Sequence, residues 1–135
     1  MECLFCNIIK ENKGFKVWEN SDFLLLLDIN PINSGHLLLI TKEHISDVFT
    51  IEAVLYSKLF LAAKGVARIL KRLTSSKRIG LAVEGFGVPH VHLHLVPLNK
   101  GNELNPLRAK KASESELSKM QTEFKAHFKT LKVEG

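Results

Sequence analysis

The chain has 135 residues, 45% hydrophobic and 24% charged, which fits one globular domain with a buried core. Its longest apolar runs, Phe23–Leu27 and Leu37–Ile40, are too short to cross a bilayer, and no secretory signal is visible, so we expect a cytoplasmic protein without membrane contact. The net charge of +5 fits a lysine-rich surface or attraction of an anionic small molecule, whereas scattered basic residues without a known motif argue against nucleic acid.

The first part of the chain is predicted to hold a short helical turn and three strands. Residues Cys3–Lys10 indicate a tight turn that continues into a helical turn. A loop rich in Asn, Pro and Gly, Asp28–Gly35, separates the second strand from the third. Short apolar runs bounded by turn residues predict the strands Lys16–Glu19, Phe23–Leu27 and His36–Thr41.

The middle of the chain changes from strand to helical periodicity. Aliphatic residues recur at steps of three and four from Thr50 to about Leu73, which predicts a long helix with Thr50 as its N-cap. A strand is then predicted at Ile79–Val83 and another at His90–Val96, joined by a loop that contains Gly85 and Gly87.

The last part of the chain is predicted to be irregular over residues 98–112 and helical afterwards. Ser113 and Glu116 have the spacing of a capping box, which opens a helix that runs to about Leu131. The whole chain, 1–135, is therefore predicted to be a single α+β domain with a C-terminal helical extension at about 113–131. Short connections favour one mostly antiparallel sheet of about five strands, with the long helix on one face.

Three histidines, His90, His92 and His94, alternate with aliphatic residues in the last predicted strand. Successive strand side chains point to opposite faces, so the three rings share one face. A solvated structural face is possible, but half of the chain's six histidines lie there, which favours a functional site. Either some of these rings bind a catalytic metal, or one ring attacks phosphorus while its neighbours and His36 donate to the phosphate oxygens.

Further short motifs accompany the histidine strand and extend over nearly the whole chain. They are Cys3-x-x-Cys6-x-Ile8-Ile9, Asp28-Ile29-Asn30-Pro31, Gly35-His36-Leu37-Leu38, Lys42-Glu43-His44-Ile45, Val88-Pro89-His90 and Leu104-Asn105-Pro106. Together with His90-Val91-His92-Leu93-His94-Leu95-Val96, they resemble the histidine triad (HIT) family, most of all its bacterial nucleotide-binding branch.

This resemblance implies a HIT-like fold whose sheet continues across a homodimer, and an enzyme that hydrolyses or transfers nucleoside monophosphates. The substrates would be phosphoramidates, anhydrides or esters of a nucleotide, a purine nucleotide on the family's precedent. Reaction at the α-phosphate would pass through a covalent nucleotidyl-histidine. His92 matches the nucleophile, His94 and His36 match flanking histidines that contact the phosphate, and Asp28 matches the residue that holds the ribose hydroxyls.

The resemblance also implies the remaining contacts to the nucleotide. Backbone amides of Gly87 and Val88 would bind phosphate. The loop before the triad departs from the family, because Phe86 and Gly87 replace an amide and a hydroxyl side chain. That loss motivates an alternative function, a nucleotide-binding or scaffold protein with little turnover. Apolar positions around the base would be Phe5, Ile8, Leu26 and Ile29, although Leu26 fits an ordinary core position equally well.

Cys3 and Cys6 form a second candidate site. A redox pair lacks a thioredoxin-like setting, and two incidental thiols in a reducing compartment are the plain alternative. His44 and His90 supply two more ligands, and Cys2His2 is a closed structural zinc set. Zinc-binding HIT proteins resemble this arrangement, which implies structural zinc on Cys3, Cys6, His44 and His90.

Overall fold

The computed structural model describes residues 3–133, which form three α-helices and one five-stranded sheet. The helices are α1 (Leu4–Glu11), α2 (Ala53–Thr74) and α3 (Glu114–Phe128). The strands are β1 (Lys16–Glu19), β2 (Phe23–Leu27), β3 (Leu37–Thr41), β4 (Arg78–Ala82) and β5 (His92–Leu98). Short 3-10 helices cover Val48–Thr50 and Pro106–Arg108.

The sheet has the strand order β1-β2-β3-β5-β4, and every neighbouring pair is antiparallel. The predicted α+β class and five-stranded antiparallel sheet are confirmed. The pairing of β3 with β5 sets Leu38 opposite His94 and Ile40 opposite His92. The histidine strand is therefore central, between β3 and β4, where its backbone is held on both sides.

Both faces of the central strands are covered, which explains the unbroken apolar runs in β2 and β3. On one face, helices α2 and α3 pack against alternate strand residues such as Leu25, Leu39 and Leu93. On the other face, α1 supplies Phe5 to a smaller group, the α1-side cluster. The α1-side cluster consists of Phe5, Leu24, Leu26, Leu38 and Ile40.

Helix α2 begins later than its periodicity predicts. Thr50 is not its N-cap, because residues Val48–Thr50 form a 3-10 helix capped by Asp47. The side chain of Glu52 caps α2 instead, through the amide of Val54. No helix within residues 3–133 is both long and apolar enough to span a membrane.

The histidine strand begins and ends two residues later than predicted. β5 runs from His92 to Leu98, so His90 precedes the strand and does not continue its alternation. The amide of Val91 donates to the carbonyl of Ile45, and the amide of Thr41 donates to the carbonyl of Val91. These bonds hold the chain next to β3 just before β5 begins, and the ring of His90 is fully buried.

The C-terminal helix begins where its capping box predicts. The hydroxyl of Ser113 accepts from the amide of Glu116, and α3 ends at Phe128 rather than near Leu131. Helix α3 packs against β1 and α2, with Gln121 donating to the carbonyl of Lys16.

Candidate functional site

Four potential metal ligands converge where α1 meets the end of β3 and the start of β5. Cys3 is the N-cap of α1, and its sulfur accepts from the amide of Cys6. His44 follows β3, and His90 precedes β5. We call these four residues, Cys3, Cys6, His44 and His90, the Cys2His2 cluster, and their ligand atoms all lie within 4.8 Å of one another.

The separations within the Cys2His2 cluster fit one tetrahedral ion. The Nδ1 of His90 lies 3.3 Å from the sulfur of Cys3, 3.5 Å from that of Cys6 and 3.2 Å from the Nδ1 of His44. The sulfur of Cys6 lies 3.2 Å from the Nδ1 of His44. An ion with bonds of about 2.0–2.3 Å separates tetrahedral ligands by about 3.3–3.8 Å, so the donor set and its spacing both suit a metal such as zinc.

A hydrogen bond on one side of the His90 ring leaves the nitrogen on the other side free to face the Cys2His2 cluster. The Nε2 of His90 donates to the carbonyl of Thr41 at 2.6 Å, which leaves a lone pair on Nδ1 toward the two sulfurs. Burial lowers the pKa of His90 and so favours the neutral, ligating form. Burial, followed by the neighbouring Cys3, raises the pKa of the Cys6 thiol, which a bound metal would oppose.

His92 is hydrogen-bonded to the backbone of His90, a residue that also belongs to the Cys2His2 cluster. Its Nδ1 lies 2.7 Å from the carbonyl oxygen of His90, which can only accept, so Nδ1 carries a hydrogen. In the neutral ring the lone pair is then on Nε2. This is the form required of a nitrogen nucleophile.

His36 and His94 form a second chain of hydrogen bonds. The amide of Ile32 donates to the Nδ1 of His36 at 3.0 Å, and the Nε2 of His36 then donates to the Nδ1 of His94 at 2.9 Å. Burial lowers the pKa of His36 to about 3 and that of His94 to about 4, so both rings are neutral near pH 7. The remaining hydrogen of His94 is therefore on Nε2, which becomes a donor.

Asp28 lies beside these rings, and the ligand atoms of Asp28, His36 and His94 lie within 4.8 Å of one another, but the hydrogen bonds of His36 do not suit a metal ion. Its Oδ2 is 3.4 Å from the Nε2 of His36, and its Oδ1 accepts from the amide of Asn30. Burial raises the pKa of Asp28. A cation on the His36 Nε2 would displace the hydrogen to Nδ1, where it would face the Ile32 amide. The bonding therefore argues against a metal ion on the ring of His36.

The apolar residues predicted to surround a base are only partly brought together. Phe5 and Leu26 are buried in the α1-side cluster, and Ile8 packs against it with part of its surface free. Ile29 is 48% exposed, in the loop directly after Asp28. Leu26 has the burial of an ordinary core residue, while Ile8 and Ile29 keep surface that a ligand could cover.

The loop before His90 keeps its backbone available. Val88 packs against the α1-side cluster, and Gly85 has a φ of 91°, a conformation that favours glycine. Among residues 3–133, the amides of Gly87 and Val88 have no hydrogen-bond acceptor. The side chain of Phe86 is 89% exposed. Two free amides thus remain for a ligand, and Phe86, Gly87 and Val88 add no polar side chain to them.

The segment after β5 holds the loop that carries Asp28. The amide of Lys110 donates to the carbonyl of Pro31, and the amide of Ala112 donates to that of Ile29. A cavity of about 380 Å³ lies between this segment, the loop and α3, and Asp28 is among its lining residues. The C-terminal part of the chain therefore supports the position of Asp28.

Two residues of the site escaped prediction because they act through their backbones. Ile32 supplies the amide that fixes His36, and Thr41 supplies the carbonyl that fixes His90. Backbone groups are the same in every residue type, so neither contact leaves a signal in the sequence.

Comparison with known proteins agrees with this geometry. A family model described as HIT domain matches residues 9–101. An uncharacterised HIT-like protein of Borreliella burgdorferi is 33% identical over 77% of this chain and 86% of its own length. Adenosine 5'-monophosphoramidase HNT1 of Candida albicans is 32% identical over 70% of this chain and 69% of its own length.

A solved structure adds a metal to this comparison. The crystal structure of a Zn-bound histidine triad family protein from Mycobacterium smegmatis is 26% identical and superposes with a TM-score of 0.74, covering 94% of this chain and 93% of that one. The family model spans well over half of the chain, and the strand that carries His92 and His94 lies within it. The chain therefore belongs to the HIT domain family.

Proposed function

We propose that the protein is a hydrolase or nucleotidyl transferase that acts on the α-phosphate of nucleoside phosphoramidates, anhydrides or esters, with purine nucleotides as the favoured class. The observation that carries the proposal is the bond from the His92 Nδ1 to the His90 carbonyl, which leaves the lone pair on Nε2. A HIT relative named as an adenosine 5'-monophosphoramidase supports the substrate class.

In the first half of the reaction, the Nε2 of His92 attacks the α-phosphorus. The bond between phosphorus and the leaving atom breaks as the new P–N bond forms, and in a phosphoramidate the bridging nitrogen departs as an amine after taking a proton from solvent. The Nε2–H of His94 and the amides of Gly87 and Val88 donate to the phosphate oxygens and stabilise their developing charge. His36 acts by orienting His94, because both of its own nitrogens already have partners.

In the second half, water attacks the phosphorus and the P–N bond to His92 breaks. The hydrogen stays on Nδ1, donated to the His90 carbonyl throughout, so His92 departs as a neutral imidazole, a better leaving group than an imidazolate anion. The proton released by the water goes to solvent, which balances the proton taken up in the first half. Another acceptor in place of water gives nucleotidyl transfer.

For the nucleoside, we place the ribose hydroxyls on Asp28 and the base against Ile8 and Ile29, since Phe5 and Leu26, the other two predicted base contacts, are buried. Asp28 and Ile29 are adjacent in the loop that residues 110–112 hold in place. Exposed surface on Ile8 and Ile29 supports this placement, since a base would remove it from water.

We also propose that zinc occupies the Cys2His2 cluster. The two thiols and two imidazoles match the preference of zinc, and the four-ligand set leaves no open position for substrate. When bound there, the ion would fix the ends of α1, β3 and β5 relative to one another. Unoxidised Cys3 and Cys6 fit a reducing compartment such as the cytoplasm.

The decisive experiment is to trap the covalent intermediate. The protein is mixed with an adenosine phosphoramidate labelled at phosphorus and quenched in alkaline denaturant, which preserves phosphohistidine, and the modified peptide is mapped by mass spectrometry. We expect label on His92 and a loss of turnover of at least about 10³-fold in His92→Ala. His127→Ala is the matched control, because His127 is exposed on α3. Label on any other side chain contradicts the proposal.

The second candidate function is a nucleotide-binding protein with little turnover. The exposed Phe86 favours it, because the loop offers only backbone donors to the phosphate. Equal and negligible rates for the wild type and His92→Ala, with nucleotide binding retained in both, would support this alternative over the hydrolase.

A further inference from the structure

Phe5 touches two histidines that belong to different sites. Its ring centroid lies 5.9 Å from that of His90, with the planes at 88°, and 4.9 Å from that of His92, with the planes at 68°. Both contacts have the edge-to-face geometry that aromatic rings prefer. Phe5 itself is only 4% exposed, so little of its ring remains for a nucleotide base.

His90 is a second connection, besides Phe5, between the Cys2His2 cluster and His92. Its Nδ1 belongs to the Cys2His2 cluster, its Nε2 donates to Thr41, and its carbonyl oxygen holds the Nδ1 of His92. A displacement of the His90 ring therefore also disturbs the carbonyl that decides the tautomer of His92. Phe5 packs against both rings and restrains them together.

The position of Phe5 depends on the turn that supplies the cysteine ligands. Phe5 lies between Cys3 and Cys6 on α1, which has only eight residues. A helix of this length is marginal unless other interactions hold it. Contacts at Cys3 and Cys6 thus add to the packing of the α1-side cluster in fixing where the Phe5 ring lies.

We propose that Phe5 is a positioning residue, which couples occupation of the Cys2His2 cluster to the orientation and tautomer of His92. The inference rests on the proposed function insofar as His92 is the nucleophile. It assigns Phe5 to the support of that nucleophile and removes it from the base-binding residues.

The first test separates the two roles of Phe5 by kinetics. In Phe5→Leu, which keeps an apolar side chain but loses the flat ring, we expect kcat to fall by about tenfold or more while KM changes by less than about threefold. A base-contact role predicts the opposite, a raised KM with kcat unchanged, and that result overturns the proposal.

The second test does not need turnover. Nitrogen-15 NMR of the imidazoles reports which ring nitrogen carries hydrogen, and zinc content is measured on the same samples. We expect wild-type protein with one zinc per chain to hold His92 in a single Nδ1–H form. Zinc-loaded Phe5→Leu and zinc-free wild type should both show a mixture of forms. An unchanged single form in both contradicts the coupling.

Ile9→Ala is the matched control, because Ile9 also lies on α1 and packs against the α1-side cluster. It should lose stability while His92 keeps its single tautomer; a mixture there as well would reduce Phe5 to general packing and overturn the proposal. If Phe5→Leu fails to fold, Phe5→Met, which also lacks the flat ring, takes its place in the same measurement. Because the NMR result is independent of catalysis, an inactive wild type would defeat the proposed function but leave this test in force.

Discussion

Backbone groups decide which nitrogen is available on three of the site's histidines. A carbonyl fixes His90, another carbonyl fixes His92, and an amide fixes His36. The result is three different outward groups: a lone pair on the Nδ1 of His90 toward the Cys2His2 cluster, a lone pair on the Nε2 of His92 and, through His36, a donor hydrogen on His94. Identical side chains thus obtain different roles from where the main chain passes.

Replacing His36 by Gln should change how stability depends on pH. The pKa of His36 is about 3 when folded, against about 6.5 in an unfolded chain, so the unfolded state binds an extra proton between these values. The contribution of neutral His36 to the free energy of unfolding is complete above about pH 6.5. It is lost as the pH falls toward the folded pKa, with a slope of at most about 1.4 kcal/mol per pH unit. His36→Gln should show a shallower loss, measured by urea unfolding between about pH 7.5 and 5.

Asn33→Ala is the control for this experiment. Asn33 donates to the carbonyl of Pro97 and accepts from Arg108, so its removal lowers stability without removing a titrating group. Its slope with pH should match that of the wild type. A His36→Gln slope that also matches the wild type would mean that His36 is not held neutral by burial.

At the scale of single residues, the sequence predicted which residues form the site better than it predicted their hydrogen bonds. The alternation of histidines and the Cys-x-x-Cys spacing identified groups that the fold does bring together. It could not predict that His90 leaves the alternating face, because that depends on a hydrogen bond to Thr41 from a distant strand. Nor could it predict that both ring nitrogens of His36 are hydrogen-bonded, one to Ile32 and the other to His94.

Few contacts attach helix α1 to the sheet, and those of the Cys2His2 cluster are among them. It joins α1 to the segments that follow β3 and precede β5, next to the small α1-side cluster. Helices of this length gain most of their stability from tertiary contacts. The element therefore depends on its ligands more than α2 does, whose 22 residues line the larger core.

Removal of metal should therefore lower thermal stability. Free metal at a thousandfold excess over Kd stabilises a fold by about 4 kcal/mol, and about 10–20 °C in Tm is expected to be lost in reducing buffer with a strong chelator. Calorimetry measures the change. The double variant Cys3→Ser/Cys6→Ser is the control, and chelator should have no further effect on it. No change in the wild type would exclude a stabilising metal.

Helices and strands were predictable where the hydrophobic periodicity was strong. Their first and last residues were predicted wrongly where a nearby side chain caps the helix at another position. Ser113 was recognisable as a cap because its partner Glu116 lies at a fixed spacing along the chain. Thr50 failed because Asp47 starts a separate 3-10 turn and Glu52 then caps α2. Several side chains able to cap stood close together, and the sequence alone did not rank them.

Across the whole molecule, the two edges of the sheet differ. Strand β1 is packed by α3, whereas β4 pairs with β5 on one side only among residues 3–133. Leu81 on β4 is 44% exposed and Val83 just beyond it is 40% exposed. An open strand edge with exposed aliphatic residues readily pairs with another chain, so we propose that the homodimer implied by the family resemblance continues the sheet through β4.

The homodimer is tested by mass in solution. We expect the wild type to sediment at about twice the chain mass of 15.2 kDa. Leu81→Lys should shift it toward the mass of one chain, because a lysine would be buried without a partner at the joined edge. Leu107→Lys is the matched control, since Leu107 is 92% exposed in the 3-10 helix Pro106–Arg108 and should leave the mass unchanged. A wild type that sediments as a single chain would show that the edge of β4 stays open and that each chain carries its site alone.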